Sequence, residues 1–385
     1  MKKFYLVYLF FIIFTITPCS IKAQGLLIGH IDFTSYYSVE TNEWISEFRH
    51  GEWDNPAAQT PINEVSLPAR DFPNTSEGDR YTQPSVSSFD FTGVTDGNPL
   101  WIFSAADNGH CWPGFRNDQS PGTFRSYIPN DNRVVSVPQP WMILELVDMT
   151  YAGSSNNPQF SLWQIQGGIV KWMATSDGID SDDLYYMKEY GHSHAYITFS
   201  SLGLYRIAYK PSAVLESTGE PVVGITEYVT FAIGTKASWT ASYYAGEDLF
   251  TEAISGDYSD SDKDGVQLLL EYAFNLDPRI VDFKILESGS GTSGLPLIKL
   301  VPFGENSALQ IEYIRRKEET NPQISYFPEF KSTLVAGEWE AQTTETVTSI
   351  DSDWERVIVT DSADSSFQNQ RFGRIRVEVQ EKITY

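Results

Sequence analysis

Two groups of residues in this chain have the types and the spacing that metal binding requires. The first is residues 260–271, DSDKDGVQLLLE, with carboxylates at positions 1, 3 and 5, glycine at position 6 and glutamate at position 12. This is the ligand order of an EF-hand calcium loop, in which alternate side chains turn their oxygens inward and the glycine makes the sharp turn. The sequence therefore predicts Ca²⁺ bound by Asp260, Asp262, Asp264, the Val266 carbonyl and Glu271.

A plain solvated acidic loop is the alternative, because acidic residues are frequent throughout the chain. Agreement at every ligand position favours calcium over that alternative. No clear helix precedes the loop, so a complete pair of EF-hands is not expected. We expect the ion to be structural and to fix a hinge between two domains.

The second group is a pair of histidines, His192 and His194, in a segment with the composition of a strand. Residues two apart in a strand point to the same face, so both imidazoles can reach one ion. A third ligand must come from elsewhere, and His30 is the natural candidate because it lies in the strand-like segment 28–33. Three imidazoles with an open fourth position suit Zn²⁺, with copper, nickel and iron as alternatives.

Three more residues near these histidines are candidates for the same site. His110, Cys111 and Asp32 are possible additional ligands, and Asp32 is also a candidate outer-sphere partner that could orient an imidazole. Ordinary surface or aromatic packing remains the alternative for the histidine pair. Buried packing is the alternative for Cys111, since free cysteine is among the most buried residue types.

The first 23 residues have the order of a secretory signal peptide. Lys2 and Lys3 precede an apolar run at 4–16, and Ala23 provides a small residue at the cleavage point. An uncleaved anchor is the alternative, but the run is shorter than the roughly 20 residues that cross a bilayer. We expect a secreted protein, extracellular, on the cell surface or periplasmic, with no membrane span in the mature chain.

Charge and cysteine content narrow the classes of partner. The chain has a formal charge of −24, and removal of the leader, which contains three lysines and no acids, takes the charge to −27. Such an acidic surface repels nucleic acid and anionic membranes and attracts cations. Cys111 is the one cysteine left after the leader, so stability must come from buried cores and bound metal rather than from a disulfide.

Segments rich in Val, Ile, Tyr, Trp and Phe, separated by turn clusters, predict a mainly β protein. The strand-like segments are 25–37, 64–68, 141–150, 159–166, 168–175, 195–209, 297–301, 309–316, 324–330, 356–360 and 371–379. One convincing helix is expected at 266–275, and Pro278 stops it. The Gly/Ser tract 287–294 predicts a linker or a long hairpin tip.

These patterns predict four parts of the chain. The predicted parts are a signal peptide at 1–23, an antiparallel β-sandwich at 24–238, a calcium-loop and helix connector at 239–282 and a smaller C-terminal β domain at 283–385.

Four short motifs occur in a collinear order within the first domain. They are GHID at 29–32, WPG at 112–114, HSHAYITF at 192–199 and GLYR at 203–206. Over about 25–235 the chain resembles the choice-of-anchor M, or surface-anchored protein repeat, family of secreted bacterial domains. The resemblance implies surface metal capture, with His30, His192 and His194 at the positions of the family's histidines. The chain departs from the family at Tyr196 and Ile197 and in lacking an anchor.

The C-terminal part resembles a different module. Segment 262–278, DKDGVQLLLEYAFNLDP, and the strand-like RFGRIRV at 371–377 are similar to segments near the C-termini of secreted verrucomicrobial-type proteins. No activity is attached to that module, and the resemblance implies a spacer or export role.

Taken together, these features predict a secreted or cell-surface protein that binds a transition metal, and they favour a binding protein over an enzyme. A carbohydrate-binding or adhesive module is one alternative, with an aromatic platform drawn from Trp101, Trp112, Trp141, Trp163 and Trp172. A zinc-dependent hydrolase is another, although no general base stands at a telling position and no Gly-x-Ser-x-Gly elbow is present. The expected partners are metal ions and a cell-surface or glycan partner, and a purely structural surface component is the third alternative.

Overall fold

The computed structural model describes residues 25–52, 55–74, 78–335, 337–342, 344–362 and 370–380. The predicted leader, residues 1–23, lies outside the described residues. The strands are β1 (Gly25–Leu26), β2 (Gly29–Ser38), β3 (Glu43–Glu52), β4 (Asn55–Thr60), β5 (Val65–Ala69), β6 (Arg80–Thr82), β7 (Pro99–Phe103), β8 (Cys111–Asn117), β9 (Ser126–Tyr127), β10 (Gln139–Ala152), β11 (Phe160–Ile165), β12 (Ile169–Ala174), β13 (Leu184–Lys188), β14 (His192–His194), β15 (Tyr196–Phe199), β16 (Gly203–Val214), β17 (Pro221–Val223), β18 (Glu227–Ile233), β19 (Leu297–Phe303), β20 (Asn306–Arg316), β21 (Ile324–Lys331), β22 (Glu340–Ala341), β23 (Glu345–Ser349), β24 (Trp354–Thr360) and β25 (Phe372–Val379). The helices are α1 (Thr235–Tyr243), α2 (Glu252–Ser255) and α3 (Leu268–Phe274), with 3₁₀ turns at Ser87–Thr92, Gly246–Phe250 and Glu318–Thr320.

The mainly β prediction is confirmed. Up to residue 233 the described strands form three sheets. Sheet I has the order β1-β5-β18-β16-β10-β13, with β17 on β16 and β9 on β10; sheet II is β12-β11-β15-β7-β6, and sheet III is β14-β8-β2-β3-β4. Most neighbours are antiparallel, but β1 with β5, β5 with β18 and β2 with β8 run parallel.

One apolar core joins the three sheets. Met142, Leu144 and Leu146 alternate along β10 and are buried, as the period of a strand requires. They pack in the same cluster as Phe33 of sheet III and Phe199 of sheet II. The first part of the chain is therefore a layered β structure around a single core.

The segment 195–209, predicted as one strand, contains β15 and part of β16. Together with β14, which includes His192, this stretch of the chain contributes one strand to each of the three sheets. β14 pairs with β8 in sheet III, β15 pairs with β11 and β7 in sheet II, and β16 pairs with β10 and β18 in sheet I. Ala195, fully buried, stands where the chain leaves sheet III for sheet II. The two histidines and the Tyr196–Phe199 strand therefore lie in different sheets.

The predicted helix at 266–275 is two residues shorter at its start. Val266 donates its backbone N–H to Asp264 Oδ1 (2.8 Å), and Gln267 is extended, so α3 begins at Leu268. At the other end Asn275 takes a left-handed conformation (φ 56°), which ends the helix before Pro278. A single short turn, α2, precedes the acidic loop.

The C-terminal strands form sheet IV, β19-β20-β24-β23, and sheet V, β22-β21-β25. Their core includes Ile311, Phe330 and Val357, and α3 packs Tyr272 and Phe274 into it. The Gly/Ser tract at 287–294 is an ordered loop. Its Ser288 hydroxyl and Gly289 N–H donate to the Glu312 carboxylate at 2.7 and 2.6 Å.

A third, smaller cluster lies between the two cores. It combines Leu204 and Ala232 of sheet I with Tyr244, Leu249 and Leu268. Across the described residues, no helix has both the length and the apolar character needed to span a membrane.

Candidate metal centres

Strand β8 brings the predicted histidines together. It runs parallel to β2 on one side and antiparallel to β14 on the other, so Gly114 is paired with Asp32 in β2 and with His194 in β14. His30 is paired with Trp112, one step along the same face. One ligand atom from each of His30, Asp32, His192 and His194 lies within 4.8 Å of every other.

We call the group of His30, Asp32, His192 and His194 the histidine centre. Asp32 lies in the middle of this group. Its Oδ1 lies 3.0 Å from His192 Nε2 and 3.3 Å from His30 Nε2, and the side chain is 2% exposed. The sequence named Asp32 as a possible additional ligand or an outer-sphere partner. The carboxylate stands among the imidazole nitrogens themselves, where it is a ligand candidate in its own right.

The orientation of His194 leaves one nitrogen available for a metal. Its Nδ1 lies 3.1 Å from the Pro113 carbonyl oxygen, which can accept a hydrogen bond but cannot donate one. Nδ1 therefore carries the hydrogen, and Nε2 holds the lone pair. Nε2 is buried and has no hydrogen-bond partner. Burial lowers the pKa of His194 to about 4, and the charge of His192 adds to this effect. The ring is therefore neutral at physiological pH, as a ligand must be.

Gly114 keeps the space for the centre open. A Cβ at this position would lie 2.2 Å from Asp32 Oδ1 and 2.8 Å from His194 Cε1. Its backbone needs no unusual conformation, so the absence of a side chain serves the space between the ligands. The WPG motif gave no indication of this role in sequence, because the parallel pairing of β2 and β8 is a tertiary feature.

Trp112 forms a wall of the centre. Its ring stacks on His194 with centroids 4.0 Å apart and an interplanar angle of 12°, and its centroid lies 4.7 Å from that of His30. Gln164 donates to the His194 carbonyl at 2.8 Å and holds β14 from the side of sheet II. His192 is the open side of the centre, with 24% of its side chain exposed.

The other two possible additional ligands lie elsewhere. Cys111 alternates to the opposite face of β8 and belongs to the apolar core, where burial raises the pKa of its thiol well above the usual value. His110 precedes β8 and places Nδ1 2.7 Å from Asp79 Oδ1. Neither residue joins the histidine centre.

The predicted aromatic platform is mostly interior. Trp101, Trp141, Trp163 and Trp172 are buried, and Trp112 is the wall described above. Trp101 and Trp172 belong to the apolar core described above, and burial is common for large aromatics in a β protein.

The acidic loop brings Asp260, Asp262 and Asp264 to within 4.8 Å of one another. Each uses one oxygen to hold the loop. Asp260 Oδ2 accepts from Gly265 N–H (3.1 Å), Asp262 Oδ1 accepts from Asp264 N–H (3.1 Å), and Asp264 Oδ1 accepts from Val266 N–H. Asp260 Oδ1 and Asp262 Oδ2 are buried without a hydrogen-bond partner.

Glu271, the last residue of the predicted calcium motif, lies in the first turn of α3 and is outside the group of three aspartates that lie within 4.8 Å of one another. Its side chain is 1% exposed, and Oε1 has no hydrogen-bond partner. Burial, followed by the charges of Asp262 and Asp264, raises the pKa of Glu271 to about 8. An isolated carboxylate in this position is unfavourable, and a divalent cation would neutralise it.

Asp282 is a residue of this region that the calcium motif does not include. Its N–H donates to Asp264 Oδ2 at 3.2 Å, and its own Oδ1 is buried without a hydrogen-bond partner. No spacing rule points to it, since it follows the loop and the helix on an irregular segment.

Comparisons of the chain with protein-family models, with curated proteins and with solved structures find no match.

Proposed function

We propose that this is a secreted or cell-surface binding protein that holds a transition metal ion, with zinc favoured, at His30, Asp32, His192 and His194. A calcium ion in the acidic loop has a structural role. The leader-like residues 1–23 and the resemblance of 25–235 to secreted surface domains support the location outside the cytoplasm. The acidic charge of the chain supports cations as ligands.

The observation that carries the proposal is the convergence of three imidazoles and one carboxylate around the space that Gly114 leaves open. The donors are three imidazole nitrogens of intermediate softness and one hard carboxylate oxygen, a set that Zn²⁺ accepts, while copper, nickel and iron are the competitors. The buried, unpartnered Nε2 of His194 fits a metal better than it fits packing, because an unpaired polar atom in the interior is costly.

The number of ligands favours binding over hydrolysis. Zinc enzymes keep one coordination position for water, whereas four protein ligands complete a tetrahedron. Asp32 supplies the fourth ligand here, so no position is reserved for a nucleophile. A glycan-binding role has less support, because four of the tryptophans proposed for a platform are buried.

Elemental analysis by mass spectrometry tests the proposal. The full chain is purified without chelator or affinity metal, beside the His192→Ala/His194→Ala variant and a His50→Ala control. His50 lies on β3 in the same sheet, where Nε2 lies 3.1 Å from the Thr60 hydroxyl, and it is outside the centre. We expect near-stoichiometric zinc in the parent and the control, loss of zinc in the double variant, and calcium in all three.

Two outcomes would overturn this proposal. One is a parent protein that holds no transition metal even after equilibration with equimolar zinc. The other is a double variant that retains as much zinc as the His50→Ala control.

A further inference from the structure

We propose that Asp282 is a further ligand of the cation in the acidic loop, and that it closes the site from the segment after α3. This inference rests on the calcium site proposed above and extends it beyond the twelve-residue motif. One ion would then bind the loop, the helix and the connector that leads into the C-terminal domain.

The backbone of Asp282 is already attached to the loop. Its N–H donates to Asp264 Oδ2 at 3.2 Å, so Asp282 is in direct contact with one of the three loop aspartates. The two carboxylate oxygens of Asp282 have different surroundings. Oδ2 lies 3.7 Å from the Lys284 ammonium, whereas Oδ1 is buried with no hydrogen-bond partner.

Four carboxylates each leave one oxygen buried and unpartnered in this region. The atoms are Asp260 Oδ1, Asp262 Oδ2, Glu271 Oε1 and Asp282 Oδ1. Buried acceptors without a hydrogen-bond partner are individually costly, and a divalent cation that bound all four oxygens would remove that cost.

Protein cations do not meet this need. Within the described residues, no lysine or arginine forms an ion pair with Asp260, Asp262, Asp264 or Glu271. Five carboxylates and the Val266 carbonyl would supply six oxygen donors, and Ca²⁺ takes six to eight oxygen ligands. The donor set therefore suits calcium in both number and chemistry.

The position of Asp282 gives the ion a structural consequence. Leu268, at the start of α3, packs in the cluster between the two cores, whereas Tyr272 and Phe274 pack in the C-terminal core. Tyr244 of that middle cluster donates its hydroxyl to the Pro278 carbonyl at 3.2 Å, between α3 and Asp282. A cation held from both ends of α3 would fix this junction.

Calcium titration calorimetry on the full chain tests the role of Asp282. The isosteric Asp282→Asn variant is compared with the parent and with Asp277→Asn. Asp277 is a matched control on the same segment, and its carboxylate accepts from Arg279 N–H at 3.0 Å. We expect the calcium dissociation constant to rise about tenfold or more in Asp282→Asn and to stay within about twofold of the parent in Asp277→Asn.

Thermal unfolding in calcium and in EGTA separates a ligand from a residue needed for folding. If Asp282 is a calcium ligand, Asp282→Asn should melt at a lower temperature than the parent in calcium. In EGTA the variant should melt at the same temperature as the parent or higher, because a like charge has been removed. An equal loss in both buffers would overturn the inference, as would parent-like calcium affinity in Asp282→Asn. If the parent itself binds no calcium, the calcium proposal fails, and the inference fails with it.

Discussion

The histidine centre and the acidic loop are both candidate metal sites, but they are built in opposite ways. The histidine centre draws its residues from β2 and β14, with β8 between them, so its ligands are separated by up to 164 positions in sequence, from His30 to His194. The acidic loop draws Asp260, Asp262, Asp264 and Glu271 from a single twelve-residue segment. A site across strands depends on the sheet, whereas a site within a loop depends on local backbone turns.

The two sites also differ in how their carboxylate oxygens are partnered when no metal is bound. In the histidine centre Asp32 is already partnered, because the His192 imidazole lies 3.0 Å away and can donate to it. In the acidic loop and the helix after it, Asp260 Oδ1, Asp262 Oδ2 and Glu271 Oε1 are buried without a hydrogen-bond partner. Metal that binds only the folded state should stabilise the fold at both sites, and more strongly at the acidic loop, where neighbouring carboxylates repel one another.

The largest expected effect is the loss of transition-metal binding in Gly114→Ala. The new Cβ would meet Asp32 Oδ1 at 2.2 Å, so the ligands must separate. Zinc affinity should fall by more than about 100-fold, since even changes outside the ligand shell cost 10–100-fold. Overpacking should lower the free energy of unfolding by about 1–3 kcal/mol. Gly168→Ala is the control, because a Cβ there meets nothing within 4 Å.

Competition titration with a zinc indicator measures the affinity, and calcium binding in the same samples confirms that Gly114→Ala is folded. Normal zinc affinity in Gly114→Ala would contradict the location of the centre.

The next largest effect is expected for Glu271→Gln, whose melting temperature should lie below that of the parent in calcium and above it in EGTA. The variant removes one bidentate ligand, so calcium affinity should fall on the order of 100-fold and the melting temperature in calcium should drop. In EGTA the neutral amide removes a buried charge, so above pH 8 the variant should melt at a higher temperature than the parent. Melting curves in the two buffers measure both effects, and a lower melting temperature in both would show a packing role instead.

A smaller effect is the pH dependence of the calcium-free protein. Burial and the neighbouring aspartates raise the pKa of Glu271 from 4.5 to about 8, so the folded state holds this proton more tightly than the unfolded chain does. The contribution to the free energy of unfolding is full below pH 4.5 and is lost as pH rises to about 8. Melting in EGTA across this range measures it, with Glu271→Gln as the control that removes the dependence.

The smallest effect is expected for Gln164→Ala at the histidine centre. Gln164 touches the His194 carbonyl and no metal ligand atom, so its loss should reduce zinc affinity by about tenfold through misplacement of β14. Gln310→Ala, whose native amide donates to Thr360 in sheet IV, is the matched control. Equal zinc affinities in the two variants would show that β14 holds its position without Gln164.

The sequence predicted where the strands lie better than it predicted which strands pair with one another. Alternation along β10 and β11 and the aromatic content of β16 are local properties, so they could be recognised. The break at Ala195 could not, because β14, β15 and β16 have similar composition and differ only in the sheet they join. The start of α3 was misplaced by two residues because the hydrogen bond from Val266 to Asp264 holds the chain extended.

By itself, the sequence determined the mainly β composition, the acidic loop with its ligand spacing, and His192 and His194 on one face of a strand. These features depend on neighbours a few residues away, and local backbone geometry fixes them. Only the tertiary structure decided that Asp32 stands between two imidazoles, that Gly114 leaves room for them, and that Asp282 returns to the loop. Those positions depend on parallel pairing and on the path of an irregular segment, which no short-range pattern encodes.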